Sequence, residues 1–238
     1  MLARMSEHQR AGSAGAGPGA ITPDGCAVEM YARMGPAGEQ HIVAGAVRAG
    51  ARTVLELGAG AGRVTHALLE LGFEVVAVDE SPEMLAEIRG ARTVRSTIEG
   101  LDLGERFDAV LLASYLVNTA EPAVRADLLR ACRRHVKDDG CVLIQREGAG
   151  WNDPATVPRE HRRGPLLIRV AAAEPLGAGV TSVRMEYEFD GRRWSQTHTS
   201  YELDEAAVGK ALAEAGLRVD AYLTDDRTWL RAVPQCAG

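Results

Sequence analysis

Thr53-Val54-Leu55-Glu56-Leu57-Gly58-Ala59-Gly60-Ala61-Gly62-Arg63 is the stretch that decides the fold. Val54, Leu55 and Leu57 form a short apolar run of the kind that makes a strand covered on both faces. Three glycines at alternating positions let the backbone turn sharply and let a ligand approach without meeting a Cβ. The next segment, Arg63-Val64-Thr65-His66-Ala67-Leu68-Leu69-Glu70-Leu71, has helical apolar spacing and stops at Gly72. A second strand, Phe73-Glu74-Val75-Val76-Ala77-Val78, ends in Asp79. The result is a β-α-β unit with an acid about 20 residues beyond the glycines, the layout that holds a nucleoside by its ribose hydroxyls.

The loop also selects among nucleosides. A dinucleotide fingerprint needs its third glycine at position 63, where Arg63 stands. The pattern is instead E-x-G-x-G-x-G, with Glu56 ahead of the first glycine. A carboxylate at the mouth of such a loop repels a pyrophosphate and suits a cation. A sulfonium nucleoside has a positive sulfur, an ammonium group and no phosphate.

With these features the chain resembles the class I S-adenosylmethionine-dependent methyltransferases. Glu56-Leu57-Gly58-Ala59-Gly60-Ala61-Gly62 is similar to that family's first motif, and Val76-Ala77-Val78-Asp79-Glu80-Ser81-Pro82-Glu83-Met84-Leu85 to its second. Phe107-Asp108-Ala109-Val110-Leu111-Leu112-Ala113-Ser114 resembles the fourth-strand motif, and 128–144 the helix, turn and fifth strand that follow. The resemblance implies S-adenosylmethionine as cofactor, held by Glu56, Gly58, Ala59, Gly60, Gly62, Asp79, Glu80, Met84, Thr97, Ile98 and Ser114. Asp79 would take the ribose. Thr97 stands where the family often has an acid beside the adenine amine, so adenine falls to Thr97, Ile98 and backbone groups. The implied fold is α/β, a doubly wound seven-stranded Rossmann-like sheet in the order 3-2-1-4-5-7-6.

Composition narrows the function. The chain has 238 residues, 46% of them hydrophobic, enough for one substantial core, and a net charge of −6. It has no basic stripe with interleaved aromatics, which argues against a nucleic-acid partner. No apolar run approaches 18 residues, which argues against a membrane span. The four cysteines, Cys26, Cys132, Cys141 and Cys236, lie far apart without metal-ligand spacing. They read as reduced thiols of a cytoplasmic protein. Asp138-Asp139 reads as a solvated turn, and no metal site is expected.

Residues 1–20, rich in Ala, Gly and Ser, read as a flexible lead, and 21–238 as one methyltransferase domain. Within it, 21–50 reads as a helical cap, with one helix from Thr22-Pro23-Asp24 to about Met34 and another from Pro36 to about Val47. Residues 147–163 read as a loop, and 164–203 as inserted antiparallel strands that roof the site or pair two subunits into a homodimer. The segments 217–223 and 227–233 supply the closing hairpin.

Methyl transfer chiefly needs positioning, and a base only when the nucleophile must lose a proton. Tyr31 on the cap, Tyr115 and Asn118 after strand four, Arg146 at the end of strand five and Trp151 in the loop are the substrate-side candidates. Each also has a packing or surface-pair reading. His198 and His161 are the candidate bases; His66, His135 and His41 read as structural or surface residues. Ser114-Tyr115-Leu116-Val117 lacks the N-P-P-Y-type pattern of base or amide methylation. A small-molecule metabolite, of natural-product type, is the expected acceptor. A nicotinamide oxidoreductase and a non-catalytic cofactor-binding regulator are the competing readings.

Overall fold

The computed structural model describes residues 10–235. In chain order the elements are β1 (Ala14–Ala16), α1 (Val28–Arg33), α2 (Glu39–Ala46), β2 (Thr53–Leu57), α3 (Arg63–Glu70), β3 (Glu74–Asp79), α4 (Pro82–Leu85), β4 (Arg92–Arg95), β5 (Phe107–Leu112), α5 (Pro122–His135) and β6 (Val136–Gln145). There follow β7 (Arg159–Arg163), β8 (Leu166–Gly177), β9 (Val180–Phe189), β10 (Arg192–Tyr201), α6 (Glu205–Glu214), β11 (Leu217–Tyr222) and β12 (Trp229–Pro234). The chain divides into two compact units, one of residues up to Ala37 with Gly150–Glu202, the other of Gly38–Ala149 with the residues from Leu203 on.

The second unit holds a seven-stranded sheet in the order β11-β12-β6-β5-β2-β3-β4. Counted from β2 as the first strand, this is the 3-2-1-4-5-7-6 order that the resemblance implied. β2, β3, β4, β5 and β6 pair in parallel, and β12 runs antiparallel to β6 and β11. Parallel strands bury both faces. Ala109 and Leu111 of β5 pack with Val43 and Ala46 of α2 and with Val64 and Leu68 of α3. The intervening Val110 and Leu112 are equally buried and point to the opposite face.

Asp108 pins the lower end of this sheet. Its carboxylate accepts from the backbone N–H groups of Arg52 and Thr53 (3.0 Å each), from Thr53 Oγ1 (2.9 Å), and from Arg48 and Lys137 (2.9 Å each). Burial opposes its ionisation, but these donors win and hold the carboxyl well below the usual carboxylate range.

The first unit is an antiparallel sheet in the order β1-β10-β9-β8-β7, with α1 packed on one face. Ile168, Tyr187 and Trp194 stand in register across β8, β9 and β10, and together with Met30 and Ala27 they form its core. The other face is charged: Arg169 pairs with Glu160, and Arg193 with Glu188. This is the period-two division that the alternation of Met185, Tyr187 and Phe189 with Glu186 and Glu188 predicts.

Four boundaries differ from the sequence reading. The part of the lead that is described is not loose: Ala14–Ala16 pairs with Ser195–Thr197 as β1, while residues 1–9 lie outside the described residues. No helix opens at Thr22. Gly25, at φ +85°, turns the chain, and a Cβ there would stand 2.5 Å from the Ala14 carbonyl oxygen, so close approach to β1 overrides helix formation. The helix starts only at Val28. The 21–50 cap is not one piece, since α1 belongs to the first unit and α2 to the second. The 147–163 loop contains β7, whose five residues include three arginines and a histidine and carry no apolar alternation that would announce a strand.

Candidate active site

The glycine loop follows β2 with Gly58 at φ +70° and Gly60 at +56°, conformations that side-chain-bearing residues adopt at a cost of about 1–2 kcal/mol. The two positions differ in surroundings. A Cβ at Gly58 would come 2.6 Å from Leu116 Cδ1 and 3.7 Å from Ile98 Cδ1, so this glycine is required by packing. A Cβ at Gly60 would meet nothing nearer than Met84 Sδ at 4.0 Å. The loop therefore leaves open ground at Gly60, lined by backbone. Gly62, also left-handed, leads into α3.

Three acids surround this loop. Asp79, at the end of β3, accepts from Gly60 N (2.8 Å) with one oxygen and from Ser81 N (2.9 Å) with the other, tying the loop to the neighbouring strand. Ser81 in turn caps α4 by accepting from Met84 N, with Pro82 in its first turn. Glu56 is 4% exposed, and its carboxylate accepts from Thr65 Oγ1 at 2.5 Å. Burial lifts the Glu56 carboxyl to about 7; Thr65 and Arg63 pull it down, while Glu39 and Asp79 raise it further. Arg63 is claimed by the buried Glu39 of α2. Glu39 is a site residue that sequence reading missed: its partner lies 24 positions away, and nothing local marks it.

The tip of β5 is the most constrained segment. Ser114 and Tyr115 are consecutive non-glycine residues at φ +55° and +62°. Ser114 N donates to Gln145 Oε1 (2.9 Å), Asn118 Oδ1 accepts from Glu147 N (2.9 Å), and Arg125 Nε donates to the Val117 carbonyl (2.9 Å). Groups from β6 and α5 thus hold the turn in a conformation it would not keep alone.

Residues 55–142 match the model of a family described as a methyltransferase domain. An uncharacterized methyltransferase of Mycobacterium tuberculosis is 44% identical over 94 residues, 37% of this chain and 39% of that protein. A cypemycin N-terminal methyltransferase of a Streptomyces species is 36% identical over 116 residues, 45% of each. The chain thus matches less than half the length of these curated relatives. Among solved structures, the S-adenosylmethionine-bound amino pentose methyltransferase of Micromonospora echinaspora superposes with a TM-score of 0.68 at 21% identity, covering 83% of this chain and 90% of that one.

Residues 55–142 thus match a methyltransferase domain, on a sheet with the strand order of the class I methyltransferase fold. The residues present fit S-adenosylmethionine. The loop offers acids and open backbone and places no cation toward a phosphate, since Arg63 is held by Glu39. The methyltransferase domain brings together Glu56, Gly58, Ala59, Gly60, Gly62, Asp79 and Met84 around one loop. Ala59 N bonds the Val78 carbonyl (2.9 Å), and Ile98 reaches the loop at Gly58. Glu80 is half-buried, while Thr97 and Ser114 are exposed. Leu116, against Gly58, was not anticipated; an apolar residue four positions past the strand end carries no signal of its own.

The substrate-side candidates divide. Tyr115 is half-buried on the strained tip. Asn118 is 2% exposed and turned inward, where it positions Glu147. Arg146 is 6% exposed and donates to the Leu203 carbonyl; its Nε has no hydrogen-bond partner. Tyr31, Trp151, His161 and His198 belong to the other unit. Trp151 lies under the Arg159 guanidinium, 4.7 Å from its ring centroid. His161 and His198 have the same parity in the antiparallel sheet, but His161 is exposed, and three strand spacings and four residues separate the two. At about 4.8 Å per strand and 3.4 Å per residue they stand roughly 20 Å apart, too far to serve one reacting atom. Both imidazoles are held below the usual histidine range by burial, with Arg163 and Arg159 adding to the effect at His161 and Asp24 opposing it at His198. His198 Nδ1 is buried without a partner.

Proposed function

We propose that the chain transfers the methyl group of S-adenosylmethionine to a small-molecule acceptor by in-line displacement. When bound, the cofactor supplies a methyl carbon on a positively charged sulfur, a leaving group that needs no protein acid. The observation that carries the reading is the loop itself: Asp79 and Glu56 flank open backbone at Gly60 where a nucleoside cation fits and a pyrophosphate does not. Asp79 both orders Gly60 and presents its carboxylate toward a ribose, while Met84, Thr97 and Ile98 line the side on which adenine would lie.

The acceptor nitrogen or oxygen forms a bond to the methyl carbon as the carbon–sulfur bond breaks, sulfur keeps the electron pair, and the acceptor's proton leaves to water or to a nearby base. Holding the reacting atoms in line is worth up to about 7–11 kcal/mol, and the clamped Ser114-Tyr115 tip is the element rigid enough to contribute. A hydroxyl acceptor needs a base, and an amine only a proton exit. The similarity to proteins named for an amino pentose and for cypemycin supports a small acceptor.

Calorimetric titration with S-adenosylmethionine tests the site. Asp79→Asn keeps the shape but removes the charge, and is expected to weaken binding about 10- to 100-fold, the value of hydrogen bonds to a charged group. Asp79→Ala is expected to lower Tm as well, because Gly60 N and Ser81 N lose their acceptor. Undiminished affinity in Asp79→Asn refutes the ribose assignment. Incubation with labelled cofactor and an extract, read as the gain of one methyl on a single compound, tests turnover.

A further inference from the structure

Glu56 is faced by charged groups from every element packed around the glycine loop. Asp79 stands at the end of β3, Glu39 in the first turn of α2 and Arg63 in the first turn of α3. The two acids oppose ionisation of Glu56, and Arg63 favours it. Thr65, on the same helix as Arg63, donates to it at 2.5 Å. α2 lies against α3, with Val43 and Ala46 packed on Val64 and Leu68, and the ion pair between Glu39 and Arg63 closes the first turns of the two helices on each other.

Arg63 needs that partner. It is the first residue of α3, where the positive end of the helix dipole disfavours a cation. Its side chain is only 12% exposed, so water does little to solvate the charge, and a guanidinium in such a place requires an acceptor. The buried Glu39 supplies one.

Two other acids stand around the loop, and they are not equivalent. Asp79 is committed, one oxygen to Gly60 N and the other to Ser81 N. Glu56 takes its hydrogen bond from Thr65, whereas a carboxylate has room for about four. A guanidinium freed from Glu39 therefore finds its strongest attraction at Glu56, the acid whose ionisation it already favours. Two cations cannot share that carboxylate without repelling each other.

Resting on the methyltransferase reading, we infer that Glu39 is a positioning residue for the methyl donor: it holds Arg63 off Glu56 and so keeps that carboxylate open to the positive charge of S-adenosylmethionine. Glu39 acts through Arg63 and need not touch the ligand. Without it, the protein's own arginine becomes the cation that occupies the loop.

The test uses the full chain, calorimetric titration with S-adenosylmethionine at pH 8, and carbon-13 NMR of the glutamate carboxyls, with the Glu56 resonance identified by its loss in Glu56→Gln. Glu39→Gln keeps the shape of the side chain and removes its charge. It is expected to weaken binding about tenfold or more, the value of a hydrogen bond to a charged group, and to bring the Glu56 titration from about 7 toward the ordinary carboxylate range as Arg63 pairs with it. In Glu39→Gln/Arg63→Gln the competing cation is gone as well. Affinity is then expected to return to that of the wild type, and the Glu56 titration to rise again. A merely structural role for Glu39 predicts no such repair. The double variant leaves neither partner buried with an unpaired charge, so it tests the inference even where Glu39→Gln fails to fold. Unchanged affinity in Glu39→Gln, or weak binding that persists in the double variant, overturns the inference. Failure of the wild type to bind S-adenosylmethionine overturns the methyltransferase reading instead.

Discussion

Glu56 offers the sharpest test of the cofactor loop, because its ionisation and the binding of a cation are the same question. In the protein alone the carboxyl is buried, takes one hydrogen bond from Thr65, and titrates at about 7. Its ordinary value is 4.5, so at neutral pH the fold holds this group about half protonated. A positively charged nucleoside beside it favours the carboxylate and returns the group toward its ordinary range. Binding below pH 7 must therefore expel a proton.

The magnitude follows from linkage. At pH 6 a group titrating at about 7 is about nine-tenths protonated, so binding should release close to one proton and be about tenfold weaker than at pH 8. The sign for stability is the reverse. A carboxyl whose folded value is raised stabilises the protein below about pH 4.5, and that contribution, at most about 3 kcal/mol, is lost as pH rises through 7. Added cofactor should restore it, so the gain in Tm on saturation should be larger at pH 8 than at pH 6. Calorimetry in two buffers of different ionisation enthalpy counts the protons. Glu56→Gln is the control, since it keeps the Thr65 contact and cannot titrate; whatever pH dependence remains in it belongs to the ligand's own amine. Wild-type and Glu56→Gln curves that coincide from pH 6 to 8 refute the reasoning.

Two further outcomes are expected. Asp108 accepts five hydrogen bonds at the foot of the sheet, so its folded value lies below the unfolded one; the stability it contributes is present above about pH 4 and lost as pH falls, and Asp108→Asn should cost about 2–4 kcal/mol at pH 7 and flatten acid unfolding followed by circular dichroism. Tyr115→Gly should relieve backbone strain at φ +62° and leave Tm within a few degrees, yet lower kcat more than it weakens cofactor binding; the opposite split would remove Tyr115 from the acceptor side.

How much of this was legible in the sequence depended on how far apart the cooperating residues lie. The cofactor loop is one contiguous stretch, and its chemistry (acid, glycines, second acid) appears in the order in which the chain supplies it. Strand order followed because alternating strands and helices leave few ways to wind a parallel sheet. β7 was not legible, because a strand of Arg159-Glu160-His161-Arg162-Arg163 is held by pairing with β8 and shows no alternation of its own. The division of the N-terminal helices was hidden for a similar reason: α1 and α2 lie six residues apart, and their packing partners lie in different sheets. Glu39 and Gln196 each meet partners remote in sequence, and a single polar residue at a core parity announces only that something must satisfy it.

The parallel sheet concentrates its chemistry in groups that also build the fold. Donor binding, on the proposed reading, asks the protein to hold a cation against a turn of backbone, and the parallel sheet offers groups that are buried or strained and fixed by hydrogen bonds: Glu56, Asp79, and the tip held by Gln145 and Arg125. Such a site tolerates little change, because each substitution there also removes a bond that shapes the loop. Substitutions at 56, 60 or 79 should therefore lower cofactor affinity and Tm together, because the groups that would hold the donor also shape the loop.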